Sequence, residues 1–299
     1  MINLSEIEKH ISTARLSSYR SLNPTGTIEE IIGLYYWNKA ISANFFPAIQ
    51  CLEVTLRNAI HTAATSHFSN GAWYDPLVSG VANELYANGH LRTMRNGQRE
   101  KSKSEIKLQD AKWKLQRARK AVTPSGVIAE LSFGFWVSLI TSQYEDINTR
   151  LKLWPNLTQT VFPHTVGTER NVGFLFNKYN NIRDTRNRLS HHEPLWKSST
   201  SSNIPSAIAY ISTQYDEVMT CIGYISRDRR DYLLKSYMGQ EFKRLLSLDS
   251  IDQFVGKLPA NTVTMLSFKK DLNLYLRNCD KGRSSYISKA GNLYKLIKI

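Results

Sequence analysis

The chain has 299 residues, enough for one or two domains with a substantial core, and its 41% apolar content is ordinary for a globular protein. No apolar run approaches the roughly 18 residues of a membrane span, and Met1 to Ser21 lacks the apolar stretch of a signal peptide, so no membrane partner is expected. The net charge of +14 favours a polyanionic partner, of which nucleic acid is the commonest.

Three cysteines, Cys51, Cys221 and Cys279, lie far apart, are odd in number and lack Cys-x-x-Cys spacing. That argues for reduced thiols in a cytoplasmic protein and against a thiolate metal site. The charge is concentrated. Arg92 to Lys120 holds eleven basic and three acidic residues, and Arg227 to the end holds fifteen and seven. Each segment is therefore +8, and the remainder is near neutral or slightly acidic.

Residues 1–23 read as a short amphipathic helix and a polar connection, with Asn23-Pro24-Thr25-Gly26 as a turn. Thr27 followed three residues later by Glu30 is a capping box, opening a strongly apolar helix with Ile28, Ile31, Ile32, Leu34, Tyr35, Ile41 and Phe45. Pro47 is expected to break or kink it, or to start the next helix, which continues through Leu52, Leu56 and Ile60 to about Phe68. Glu53, Arg57 and His61 fall four apart on that helix. They read as an ion pair ending in a surface histidine, or as residues bracing the Arg186 site. A loop and short helix come next, from Ser69 to Asn88, with Trp73, Tyr74 and Pro76 as an aromatic cluster.

Lys101 to Lys120 is expected to be helical, with Ile106, Leu108, Ala111, Trp113, Leu115 and Ala118 on a ragged apolar side. Its cations Lys112, Lys114, Arg117, Arg119 and Lys120 are either a solvated face or a surface that tracks RNA phosphates. Trp113 is assigned to the core rather than to base stacking. Val127 to Tyr144 reads as one very apolar helix, with Gly134 allowing a close helix contact. Trp154-Pro155 and Phe162-Pro163 mark a loop. Ile204 to Ser226 is helical, burying Ile208, Ile211, Tyr215, Val218, Met219 and Ile222. Two short helices, Tyr232 to Leu246 and Thr262 to Leu276, precede a basic tail in which Ser284 to Ile299 is ambiguous. The expected fold is all-α, a helical bundle with a basic C-terminal appendage.

One stretch concentrates chemistry. From Arg183 it reads Arg-Asp-Thr-Arg-Asn-Arg-Leu-Ser-His-His-Glu-Pro-Leu-Trp, ending at Trp196. Ahead of it Phe174, Leu175, Tyr179 and Ile182 share one helical face. Pro194 disfavours helix in the residue before it, so that helix is expected to end at about His192 or Glu193, with both imidazoles at its last turn. Serine-hydrolase elbows, phosphate-binding glycine loops and zinc-protease spacing are absent, and Glu145-Asp146 with Asp184 and Glu193 makes no two-metal ligand set. An enzyme built on this chain would work without metal or cofactor. RNA permits that, because its 2′-hydroxyl can attack the adjacent phosphate. Histidine can carry the proton and arginine can grip the phosphate. Arg186, Asn187 and His191 thus suit half of an RNA-cleaving site, completed by a symmetric partner. The spacing alone arises by chance. Its surroundings, Asn187 beside the arginine, His192 beside the histidine and Pro194-Leu195-Trp196 after it, raise its weight. The bland reading is a helix C-cap, with arginines paired to Asp184 and Glu193.

Arg186-Asn187-Arg188-Leu189-Ser190-His191-His192-Glu193-Pro194-Leu195-Trp196 resembles a segment of the Abi-like (abortive infection) proteins of the HEPN superfamily. Phe45-Phe46-Pro47 with Leu52 to Ile60, and Glu130 to Trp136, resemble two further blocks, and the likeness spans about residues 28–225. It implies a domain over 28–226 with a basic insertion at about 92–120, preceded by residues 1–27 and followed by a basic region over 227–299. It further implies a HEPN-like helical bundle that dimerises across its motif helices. The activity implied is metal-independent endoribonuclease action in phage defence or a toxin–antitoxin system, with an antitoxin, RNA or protein, as a further partner. Carried over by position, Arg186 binds the scissile phosphate, His191 is general acid or base, and Asn187 orients either. His192 is the alternative imidazole. Successive helical residues point about 100° apart, so one of the two faces the cleft well. Arg183 and Arg188 join the RNA contacts. Two other readings stay open, a non-catalytic RNA-binding protein and a nucleotide-handling HEPN protein.

Overall fold

Polar side chains that satisfy free backbone N–H groups set the helix starts. The computed structural model describes residues 2–80, 101–146, 151–197, 201–257, 262–281, 285–289 and 292–296. Asn3 accepts from the N–H groups of Ser5 and Glu6 at the head of α1 (Leu4–Ile11). Ser12, with φ at 81°, ends α1 and caps α2 (Thr13–Leu22). The N-terminal region therefore holds two helices where one was expected, because Ser12 reverses the backbone between them. Gly26 N–H bonds Asn23 O at 3.0 Å, closing the expected turn. The capping box forms reciprocally. Thr27 N–H donates to Glu30 Oε2 at 3.0 Å, and Glu30 N–H to Thr27 Oγ1 at 3.3 Å. The helix it opens, α3 (Ile28–Phe68), runs through Pro47 rather than restarting there.

In chain order come α4 (Tyr74–Gly80), α5 (Lys103–Arg117), α6 (Pro124–Glu130), α7 (Phe133–Ser138), α8 (Thr158–Val161), α9 (Val172–Ser190), α10 (Ile204–Ile225), α11 (Arg227–Lys235), α12 (Tyr237–Leu245) and α13 (Leu248–Phe254). Then come β1 (Thr262–Thr264), α14 (Met265–Lys270), α15 (Leu272–Asp280), β2 (Ser285–Lys289) and β3 (Asn292–Leu296). The chain is all-α apart from this small sheet, in which β2 pairs in parallel with β1 and antiparallel with β3. The one helix expected over Val127–Tyr144 is two α-helices and a 3-10 turn at Ser142–Tyr144, because Leu131 and Ser132 are extended and Ser132 takes the N-cap position of the second helix. Ser236 splits the expected Tyr232–Leu246 helix in the same way, capping Gly239 N–H. Thr262-Val263-Thr264, β-branched throughout, is a strand rather than a helix start. Among the described residues no helix is long and apolar enough to cross a membrane. The basic stretch at 92–100 lies outside the described residues, as do 81–88 of the expected loop and helix.

The chain divides into two compact units, one of Met1–Ala48, Thr185–Asp216 and Asp231–Ile299, the other of Ile49–Asp184 and Glu217–Arg230. In the first, Tyr215 stacks on Phe242 with centroids 3.9 Å apart, and Phe45 meets both rings edge-on. Trp37 is buried and donates to Leu245 O at 2.9 Å. A Cβ on Gly33 would sit 2.3 Å from Phe254 O, so only glycine fits that approach. In the second unit Trp73, Trp136, Trp154, Phe133, Phe135, Phe162 and Tyr179 are buried together with the apolar half of α3 from Leu52 to Ile60. Trp154 donates to Leu139 O at 2.7 Å and Tyr179 to Cys221 O at 2.8 Å, so these two buried groups are satisfied by backbone carbonyls. The side of α10 expected to be buried is so at Ile211, Tyr215, Val218, Met219 and Ile222, while Ile208 is half-buried.

Candidate functional site

The motif helix α9 ends at Ser190, earlier than the expected His192 or Glu193. His192 takes the left-handed conformation, φ 58°, at the position past the cap. His192 N–H bonds Leu189 O and Glu193 N–H bonds Arg188 O, both at 3.0 Å. These are the two bonds of a Schellman end, which satisfy carbonyls a helix would leave open. Histidine tolerates this backbone better than a β-branched residue, and Pro194 keeps the chain from resuming the helix. Backbone groups rather than imidazoles therefore close the helix, which corrects the bland reading of the histidines.

The segment leaving the turn is anchored inside the first unit. Pro194, Leu195 and Trp196 are buried. Leu195 N–H donates to the Asn38 side chain at 3.2 Å, and Trp196 stacks on Trp37 at 5.5 Å and meets Tyr19 edge-on at 5.1 Å. Arg15 Nη1 donates to His192 O at 3.0 Å, and Arg188 Nη1 to Lys197 O at 3.1 Å. Asn38 and Arg15 are not singled out by the sequence motifs. A polar Asn38 amid the apolar run of α3 was the available signal, because a buried amide needs a partner.

With the backbone locked, the side chains differ in what they are free to do. Arg188 is tied to its carbonyl, and Arg183 pairs with Asp184 at 3.2 Å. Among the described residues, the guanidinium of Arg186, the amide of Asn187 and both imidazoles have no side-chain hydrogen-bond or ion-pair partner. Arg186 is half-buried, while Asn187, His191 and His192 are exposed. Glu193 makes no ion pair with an arginine among the described residues. The locked end thus presents one uncommitted guanidinium, one amide and two imidazoles within seven residues, a set able to bind a phosphate and move a proton.

Glu53, Arg57 and His61 belong to the second unit, whereas Arg186, Asn187, His191 and His192 belong to the first. Arg57 Nε donates to Asn58 Oδ1 at 3.4 Å. His61 is half-buried rather than a surface residue. Its Nδ1 accepts from Trp73 Nε1 at 3.0 Å. The indole only donates, so His61 is neutral with its proton on Nε2. Burial also pushes its titration down.

On α5 the buried face is Leu108, Ala111 and Leu115 with Ser104 and Glu105. Lys112 bonds Asp75 and lies 5.9 Å over the Tyr74 ring. Lys114, Arg117, Arg119 and Lys120 are exposed. Trp113, expected in the core, is 56% exposed, with the Arg117 guanidinium 5.1 Å from its ring centroid. Two residues past Ala111 is a rotation of about 200° on a helix, so Trp113 faces away from the core. Among the described residues, no group of three or more His, Cys, Asp or Glu side chains is placed to hold a metal ion.

Residues 4–197 match the model of a family described as Abi-like protein. No curated protein and no solved structure matches the chain. The match extends nearer the N-terminus than the sequence motifs alone, taking in α1 and α2. It stops at Lys197, directly after the Trp196 anchor, and leaves α10 and the later elements outside it.

Proposed function

The chain belongs to the Abi-like protein family, which points to abortive-infection phage defence, and on that footing we propose that it is a metal-independent endoribonuclease of the HEPN type. One observation carries the reading. At a helix end closed by backbone bonds, the side chains of Arg186, Asn187 and His191 have no partner among the described residues, while the neighbouring Arg188 is spent on holding the turn.

In this mechanism a 2′-hydroxyl of RNA attacks the adjacent phosphorus as an imidazole takes its proton. The bond to the 5′-oxygen breaks as that oxygen receives a proton from a second imidazole. The products are a 2′,3′-cyclic phosphate and a 5′-hydroxyl end. His191 supplies one proton role and the same residue of a second copy supplies the other, so the active species is a homodimer. Arg186 holds the charge that builds on the phosphorane oxygens, and Asn187 orients the phosphate or the imidazole. The exposed cations of α5 and the Trp113–Arg117 pair suit a single strand, phosphates on the charges and a base on the indole. An antitoxin, RNA or protein, would restrain the activity.

The test is total cellular RNA incubated in EDTA with the wild type, Arg186→Ala and His191→Ala. Cleavage with 2′,3′-cyclic phosphate ends is expected from the wild type alone, with both variants folded and dimeric. Undiminished cleavage in both variants refutes the assignment. The exposed Trp113–Arg117 pair equally favours a second reading, a non-catalytic RNA-binding protein. That reading predicts salt-steep RNA binding and no cleavage by any form.

A further inference from the structure

Within the second unit, three helices bring Lys107 (α5), Gly134 (α7) and Arg183 (α9) together. The Lys107 ammonium donates to Gly134 O at 2.6 Å. A Cβ placed on Gly134 would lie 3.2 Å from Lys107 Nζ and 3.8 Å from Arg183 Cδ. The glycine expected to admit a neighbouring helix instead admits two cationic side chains. Both are half-buried.

Two other half-buried lysines of this unit are neutralised by carboxylates. Lys112 sits on Asp75, and Lys178 on Glu217 at 2.7 Å. Lys107 has a neutral carbonyl in that place, and Arg183 rather than a carboxylate beside it. An ammonium carries three N–H donors, so two on Lys107 have no partner among the described residues. Burial, with the Arg183 and Lys103 charges adding to it, pushes the Lys107 ammonium down to about 8. Like charges gathered in a partly desolvated spot are unfavourable unless an anion joins them. Arg183, whose Nη2 also meets Asp184 at 3.2 Å, lends its remaining donors to phosphate oxygens, and Lys107 adds a point charge.

We propose that Lys107 and Arg183, with the clearance at Gly134, form a binding subsite for a backbone phosphate of single-stranded RNA. The identity of the anion rests on the ribonuclease reading above; the subsite itself does not depend on cleavage. The full-length protein is titrated with a fluorescent 2′-O-methyl oligouridylate of about twelve nucleotides, which 2′-hydroxyl attack cannot cut. Affinity is read between about 50 and 200 mM salt. Removing one phosphate contact lowers the slope of log affinity against log salt by about 0.7, so Lys107→Met should lose about 2.6-fold less affinity across that range than the wild type. Lys107→Arg should restore the slope. Gly134→Ala keeps both charges but crowds the ammonium, and should weaken binding with the fold intact.

A wild-type slope in folded Lys107→Met overturns the proposal. Should that variant lose cooperative unfolding, wild-type affinity in Gly134→Ala overturns it instead. Uridine monophosphate is the competing arm. Lys107-dependent binding of the mononucleotide, with the oligonucleotide unaffected by Lys107→Met, would make this a free-nucleotide site and overturn the RNA assignment. Loss of the cleavage reading leaves these measurements standing, and a negative result here leaves that reading standing.

Discussion

Asn38 Oδ1 accepts the Leu195 backbone N–H at 3.2 Å, and the same side chain donates to the Tyr19 hydroxyl at 3.2 Å. One amide on α3 therefore holds both α2 and the segment leaving the turn at His191–Glu193. Asn38 is 1% exposed, so these bonds have no water to replace them. Asn38→Ala strands a buried N–H and should cost about 1–3 kcal/mol of unfolding free energy. It should also lower RNA cleavage, because the turn carrying His191 loses its far anchor. Urea denaturation and a cleavage assay check this, and unaltered stability would show that the bond matters little.

Trp196 is the apolar counterpart of that anchor. It is 3% exposed between Trp37 and Tyr19. Trp196→Ala empties the space beneath the turn and should destabilise by about 3–5 kcal/mol, with Trp196→Phe costing clearly less. Equal loss in both variants would mean that the site does not depend on ring stacking.

The parts legible in the sequence are those whose causes are local. The Thr27–Glu30 box opens α3 as read, because both partners lie within one turn of helix. The motif from Arg183 to Trp196 is contiguous, so its arginine, amide and imidazoles could be named without a structure. The exposure of Trp113 is set by its angle to Ala111, yet lysines around it obscured which face was apolar. Lys107 and Gly134 are 27 residues apart in the chain, and Asn38 and Leu195 are 157 apart. Nothing local marks either pair. The sheet stayed ambiguous because its central strand, Ser285–Lys289, and its edge strand, Asn292–Leu296, alternate weakly and mix polar and apolar residues evenly.

His61 supplies a pH signature separate from the motif. Burial holds its imidazole below the ordinary value of about 6.5. Between that lowered value and about pH 6.5 the unfolded chain binds more protons than the folded one, so stability falls as pH drops through the window and is level above it. Protonation at Nδ1 also removes the acceptor for Trp73. His61→Asn places an amide oxygen at the Nδ1 position with nothing to titrate. The thermal midpoint should drop between about pH 7.5 and about pH 5.5 by less in His61→Asn than in the wild type. An identical drop would assign the acid sensitivity to other groups.

The two histidines of the turn can be separated because only one of them bears a special backbone. His192 sits at φ 58°, a conformation that costs a residue with a Cβ about 1–2 kcal/mol and glycine almost nothing. Glycine gives back part of that gain through its greater freedom when unfolded, roughly 0.4–1 kcal/mol. His192→Gly should therefore keep the turn and leave stability unchanged or raised by up to about 1.6 kcal/mol. With His191 as the proton carrier, His192→Gly still cleaves RNA while His191→Ala does not. The reverse pattern, His191→Ala active and His192→Gly inactive but stable, would move the catalytic role to His192. Because His192→Gly is expected to be at least as stable as the wild type, its loss of activity could not be put down to unfolding.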